Sequence, residues 1–372
     1  MLQRSTVLAY AFALAACGGA DAPSFAQQNP FTATPVATFD EPWAMAFLPD
    51  GRLLVTEKRG RLKLLAPDGT IGEIRGVPPV AYGGQGGIGD VVLHPDYDSN
   101  GLVYLSYAEA GERRSAGGAV ARARLVLDAG GGGELAGLEV IWRQAPKVDG
   151  GGHYGHRIAF GPEGFLDVSS GERQKFAPAQ DLQSTLGKIV RLHDDGTVPA
   201  DNPFADRGGV TAEIWSLGHR NPLGLAFDAA GRLWNVEMGP RGGDELNLVE
   251  RGANYGYPLV SEGNHYDLRR IPDHSTRPDL APPAVAWTPV ISPSSLLFYD
   301  GGEFPEWRGN ALIGGLSSQA LVRVAIDGTR AREAERYSMR ARIRAVEQGP
   351  DGAIWLLEDG RRGRLLRLTA PR

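Results

Sequence analysis

Short apolar runs recur along this chain, each broken by a Pro/Asp/Gly turn and followed by a second apolar run. The pattern appears as AMAFLPDGRLLVTE from Ala44, DVVLHPDYDSNGLVYLSY from Asp90 and RIAFGPEGFLDVSS from Arg157. It returns as LGLAFDAAGRLWNVE from Leu223 and AVEQGPDGAIWLLE from Ala345, with a degenerate copy, SLLFYDGGEFPEWRGNALIGGL, from Ser295. Each copy predicts a β-hairpin, because the runs have strand length and the turn residues supply fixed or positive φ. No stretch keeps a 3.6-residue apolar period for several turns, so long helices are not expected. Hairpins spaced by roughly 40–80 residues suit propeller blades joined by loops of varying length. Six copies therefore predict an all-β fold, a six-bladed β-propeller over residues 32–372, which leaves only short, protected strand edges. The segment Thr32 to Phe39 is expected to close the ring by pairing with Arg364 to Leu368. A β-sandwich is the competing arrangement, and six similar hairpins argue against it. Gly130 to Gly133 and the 262–282 region read as surface loops.

Composition supports this picture without adding a partner. The chain holds 51 glycines and 26 prolines, which suits many tight turns. Its formal net charge of −5 gives no electrostatic case for nucleic acid or an anionic membrane surface. Residues 1–26 read as a targeting segment: Arg4 supplies a positive charge, and Val7 to Ala16 form an apolar run too short to span a bilayer. Leu14-Ala15-Ala16-Cys17 reads as a lipobox with Cys17 the lipidated residue; cleavage after Ser24-Phe25-Ala26 is the alternative. Either predicts export, to the periplasm or to an outer-membrane anchor through Cys17. Cys17 is the one cysteine, so the mature fold has neither a disulfide nor a thiolate metal site.

The residue two before the turn proline marks a common register: Phe47, Leu93, Phe160, Phe227, Phe298 and Gln348. Chemically distinctive residues fall just upstream of these marks. Gln85 lies eight before Leu93, His153 seven before Phe160, and Arg220 and Asn221 seven and six before Phe227. Arg342 and Arg344 lie six and four before Gln348. In a propeller, equal register means equal height and radius, so these residues ring one mouth of the channel. Three arginines with an Asn and a Gln suit a planar polyanion, since guanidinium pairs carboxylates bidentately and stacks on flat rings. His153 is the candidate general base, and Glu172, on the next strand of the same blade, the candidate holder of its imidazole. Gly84 to Gly89 fits G-x-G-x-x-G, but a strand-like run follows it, which excludes a dinucleotide fold. His153 and His156 lack the helix of an H-E-x-x-H zinc site. Gly239-Pro240 with Asp244 and Glu245 reads as an acidic turn, rich in the oxygens that Ca²⁺ takes.

QGGIGD (85–90), HYGHRIAF, AQDLQSTLGKIVRLHDDGTVPADNPF, WSLGHRNPLGLAFD and EMGPRGGDELNLVERGANYGYP together resemble the soluble sugar dehydrogenases that depend on pyrroloquinoline quinone (PQQ). The nearest branch is the bacterial aldose sugar dehydrogenases of the glucose/sorbosone dehydrogenase family, and the resemblance spans about residues 35–370. It implies PQQ and Ca²⁺ at the propeller mouth and oxidation of an aldose at its anomeric hydroxyl, with electrons passed to an external acceptor. On it, His153 is the catalytic base, Arg220 and Asn221 meet the quinone oxygens, Gln85 the cofactor's edge, and Arg342 and Arg344 its carboxylates. It also implies that the carbonyls of Gly239 and Pro240 ligate Ca²⁺, with a second ion at Glu245 and Tyr255. The chain departs from the family pattern at Ser317 (often lysine), Met238 (usually histidine), Ala345 (usually aspartate) and His156 (usually a small residue). Two other readings compete. A lactonase-type propeller needs a ring of inward carboxylates and asparagines around Ca²⁺, whereas this mouth is arginine-rich. A non-catalytic propeller that has lost PQQ predicts no turnover after reconstitution.

Overall fold

A computed structural model describes residues 29–371, so the targeting segment and Cys17 lie outside the described residues. All six predicted hairpins are present. Pro42–Phe47 pairs with Leu53–Glu57, Ile88–Leu93 with Leu102–Ala110, and Gly155–Phe160 with Leu166–Ser170. Pro222–Phe227 pairs with Leu233–Glu237, Pro293–Phe298 with Ala311–Gly315, and Ile343–Gln348 with Ile354–Glu358. The first strand of every hairpin has six residues and ends on its register mark. Each also slips register near its start, as between Pro42 and Met45 or Gly155 and Ile158. Such bulges re-aim side chains at a strand's end. Here they sit at the end that carries the candidate residues.

Two further strands extend each hairpin. Four sheets have four strands; one has eight, joined only where Ile74 and Arg75 run parallel to Gly133 and Glu134. That sheet therefore divides into two antiparallel runs of four, giving six four-stranded units numbered here in chain order. The first strands of successive units adjoin one another, and the sixth adjoins the first. Five of the six are buried over their first four residues, as befits the innermost strand. Thr32–Phe39 pairs with Gly363–Thr369, from Thr32 opposite Thr369 to Phe39 opposite Gly363. The expected closing pairing is thus observed, and it ties the first described strand to the last.

Apolar faces of neighbouring units pack together. Tyr104, Val120 and Trp142 of the second unit meet Ile158, Val168 and Val190 of the third. Trp234 and Leu246 of the fourth meet Leu296, Ile313 and Val322 of the fifth. Among the described residues the one α-helix is Tyr97–Asn100, a single turn. Three local expectations change. Gly133 begins a strand; the turn ends at Gly132, and a Cβ on Gly72 would lie 1.9 Å from the Gly131 carbonyl, so glycine permits that close approach. The 262–282 region is more ordered than a loop: Gly263–Asn264 pairs with Arg241–Gly242, and His274–Thr276 forms a 3-10 turn. Asp244 and Glu245 open the strand Asp244–Leu248, because alternating Leu246 and Leu248 have an apolar side to fill.

Candidate active site

His153 stands just before the first strand of the third unit, with φ at +50°. A non-glycine residue holds that conformation only when its surroundings fix it. They do so from three sides. Gln85 Oε1, from the second unit, accepts the His153 backbone N–H at 2.7 Å. The Arg173 N–H donates to the His153 carbonyl at 3.2 Å. Glu172 Oε1 lies 2.5 Å from His153 Nδ1. The other Glu172 oxygen accepts the Phe176 N–H at 2.7 Å, and the Glu172 N–H donates to the Arg220 carbonyl at 2.9 Å. A carboxylate at Nδ1 fixes the tautomer with its proton there, leaving Nε2 as the acceptor. Burial holds the imidazole below its ordinary 6.5, with Glu172 opposing, so it is neutral near pH 7. Burial works against ionisation of Glu172, but the bond to His153, the Phe176 N–H and the nearby Arg220 charge together keep the carboxyl below its usual range. Arg173, stacked 3.7 Å from the Tyr154 ring centre, donates to the carbonyls of Gly150, Gly152 and Ala116 and fixes the loop.

Arg220 and Asn221 precede the first strand of the fourth unit. Glu237 Oε2 accepts the Arg220 N–H at 2.6 Å, and Arg220 Nη1 donates to the Met238 and Gly239 carbonyls at 2.9 and 2.6 Å. Asn221 Oδ1 accepts the Gly155 N–H at 3.2 Å, which points its Nδ2 elsewhere. Arg220 Nε and Asn221 Nδ2 are buried with no protein partner. A buried donor left unpaired costs about 1–3 kcal/mol. Both lie on the segment bonded to the His153 loop, and both are free to donate to an acceptor oxygen.

The adjoining cavity, about 420 Å³, brings Gln85, Arg342 and Arg344 together with His156, Lys58 and Asp359. Arg342 and Arg344 both pair with Asp359, at 2.8 and 2.7 Å. Lys58 Nζ donates to the Gly84 carbonyl at 2.7 Å, and burial lowers its affinity for a proton. The wall thus sets Lys58, Arg342 and Arg344 against Glu41 and Asp359, an excess of positive charge. Lys58 and Asp359 were not among the sequence candidates, yet a signal for them exists. VTEK, NVEM and LLED each end a second strand on a glutamate (Glu57, Glu237, Glu358), and the next residues, Lys58, Met238 and Asp359, all line the cavity. Of the departures, Met238 and His156 line the cavity, Ser317 is exposed with one 3.4 Å contact to the Val290 carbonyl, and Ala345 packs against Phe39 and Met45.

The oxygen-rich segment borders this wall. The Gly239 carbonyl accepts from Arg220, while its N–H donates to Asp244 Oδ1 at 2.9 Å; Asp244 Oδ2 accepts the Ser292 N–H at 2.6 Å. Asp244 therefore clamps the Gly239-Pro240 turn to the fifth unit, and burial raises its carboxyl to about 6. Glu245, opposite Glu237 in the sheet, is pushed well up by burial and by the charges of Glu237, Glu262 and Asp244. Asn247 and Asn235 beside it each keep a buried Oδ1 with no partner. The Tyr255 hydroxyl turns to the Leu248 carbonyl, and its own carbonyl lies 3.0 Å from His274 Nε2. Among the described residues no three His, Cys, Asp or Glu side chains converge to hold a metal ion by themselves.

Comparison with known proteins decides the family. The family model described as glucose/sorbosone dehydrogenase matches residues 39–367. The chain belongs to the glucose/sorbosone dehydrogenase family. It is an oxidoreductase of the sugar dehydrogenase type. It is 39% identical over 337 residues to the aldose sugar dehydrogenase YliI of Escherichia coli (strain K12), covering 89% of this chain and 90% of that one. A solved glucose dehydrogenase superposes with a TM-score of 0.87 at 41% identity, covering 91% of this chain and all of the other. The PQQ-bound aldose sugar dehydrogenase of Streptomyces coelicolor superposes with a TM-score of 0.75 at 28% identity, covering 91% and 98%. The fold is that of these propellers.

Proposed function

We propose that this protein is a PQQ- and Ca²⁺-dependent dehydrogenase built on a six-bladed β-propeller. It oxidises the anomeric hydroxyl of an aldose to the lactone and passes the electrons to an external acceptor. One observation carries the reading: the His153–Glu172 pair and two unpartnered buried donors, Arg220 Nε and Asn221 Nδ2, stand directly behind Tyr154, Gly155 and Met238, which line a cation-rich cavity. Those donors suit quinone oxygens, and Lys58, Arg342 and Arg344 suit the cofactor's carboxylates, with Lys58 supplying a cation that Ser317 does not. Gln85 acts by holding the His153 backbone. Gly239 and Pro240 carbonyls would hold one calcium ion, and Glu245 with the Tyr255 segment a second, a placement favoured by the unpaired amide oxygens of Asn235 and Asn247 beside it. When bound, the quinone supplies the two-electron acceptor and calcium the Lewis acid that polarises it. The chain's own residues do the rest. His153 Nε2 takes the hydroxyl proton, Glu172 stabilises the imidazolium that forms, and Arg220 stays fixed by the Met238 and Gly239 carbonyls.

The mouth's excess of cations disfavours a lactonase, whose calcium needs converging carboxylates. The test is reconstitution of the purified protein with PQQ and Ca²⁺, followed by dye reduction with a panel of aldoses. Turnover that His153→Ala abolishes supports the proposal; no turnover with any sugar leaves the non-catalytic propeller. We place the mature protein, residues 32–372 as one domain, outside the cytoplasm, as a periplasmic or outer-membrane-anchored form. Mass spectrometry of the expressed full chain distinguishes a lipidated Cys17 terminus from one at Gln27.

A further inference from the structure

A second cavity, of about 390 Å³, lies between the third and fourth units at the turn end of their hairpins. It shares no residue with the catalytic cavity. Asp167 and Arg191 stand opposite each other on adjacent strands and both line it, beside Phe227 and Leu248 of the fourth unit. They are 3% and 6% exposed, yet Asp167 Oδ1 and Arg191 Nε have no hydrogen-bond partner. Buried polar side chains in native proteins are almost always paired, so two orphans on residues that line one cavity mark a place for a ligand.

The surroundings specify its chemistry. Arg191 is already neutralised by Asp201, at 2.5 Å, and its guanidinium lies 4.0 and 4.5 Å from the ring centres of Phe165 and Trp215. Burial raises the Asp167 carboxyl to about 8, with Arg191 opposing, so it is mostly uncharged at neutral pH. An anion entering here finds no free cation, since Arg191 and Arg232 pair with Asp201 and Asp228, and a cation finds free carboxylates only on the exposed residues Glu163 and Glu250. A hydroxyl accepts from Arg191 Nε–H while bonding to the Asp167 carboxyl. Phe227 and Leu248 then offer an apolar wall to the ring that carries it. We propose that this cavity is a second binding site, separate from the catalytic mouth, for a neutral hydroxylated ring. Aldopyranoses and phenols share that chemistry.

The test is calorimetric titration of the cofactor-free protein with glucose and, separately, with phenol. Saturable binding of at least one probe in the millimolar range is expected, and which one binds identifies the source. Thr329→Trp, on an exposed turn lining the cavity, should weaken binding ten-fold or more, as should Asp167→Leu; Arg344→Ala at the catalytic mouth should leave it unchanged. Should Asp167→Leu fail to fold, Thr329→Trp decides alone. Reconstituted Thr329→Trp is expected to keep wild-type sugar turnover, which separates this site from the catalytic reading. No saturable binding of either probe, or binding lost in Arg344→Ala and kept in Thr329→Trp, would overturn the proposal.

Discussion

At the scale of single residues, Glu172 joins two jobs. One oxygen holds His153 Nδ1 and the other the Phe176 N–H, so the base and its flanking loop share one carboxylate. Replacing His153 by Ala should lower kcat by about 10²–10⁴-fold, the usual worth of a positioned base. Glu172→Gln should lose less, but with a telling shift in pH dependence. Rate falls as His153 gains a proton, below its ordinary 6.5; Glu172 favours that proton, so removing it should move the inflection further to acid. A lower rate with an unmoved inflection would contradict the pairing. His156 makes a separate prediction about stability. Burial pushes its pKa down to about 3, so as pH falls from 6.5 the unfolded chain takes a proton that the folded one refuses. Wild type should therefore lose stability over that window by a margin that His156→Leu does not share, read as the difference in Tm between pH 7 and pH 4.5. That Arg342 and Arg344 meet Gln85 at one cavity was legible because a shared register fixes where each strand begins; His153, Arg220 and Asn221 share that register but do not line the cavity. The unpaired state of Arg220 Nε and Asn221 Nδ2 was not legible, since it depends on which backbone groups fold back on them.

At the scale of elements, the six hairpins were legible because turn chemistry and strand length coincide in each copy, even where Pro305–Trp307 lengthens the turn of the fifth. Elements without a repeat were harder to read. Arg241–Gly242 and Gly263–Asn264 are two residues each and find one another across a long excursion, so no local pattern announces them. Lys58 and Asp359 are harder to read for another reason: they follow second strands, away from the register marks on the first strands. The closing strand invites a direct test. Phe39 packs with Met45, Leu53, Leu357 and Leu365, bridging the first and sixth units. Phe39→Ala should cost about 3–5 kcal/mol in urea unfolding. A loss below about 1 kcal/mol would mean that Thr32–Phe39 contributes little to closing the ring.

At the scale of the whole molecule, the ring of first strands gathers side chains that the sequence scatters from Gln85 to Arg344 around one mouth. Ion binding should act on this scale too. Burial and neighbouring carboxylates push the Glu245 carboxyl well above its usual range, a tension that a divalent cation would relieve. Ca²⁺ should raise Tm by several degrees in wild type and by less in Glu245→Gln, with EDTA reversing the gain; equal shifts in both would remove Glu245 from the ion's ligands. The central claim is that the mouth holds a quinone and that His153 takes the sugar's proton there. Rapid mixing of the PQQ- and Ca²⁺-loaded protein with an aldose, followed in the cofactor's absorbance, measures both parts together. Wild type should show cofactor bound and reduced by the sugar, and His153→Ala cofactor bound but reduced at least about 100-fold more slowly. Equal reduction rates in the two proteins, or no cofactor absorbance retained by wild type, would contradict the account.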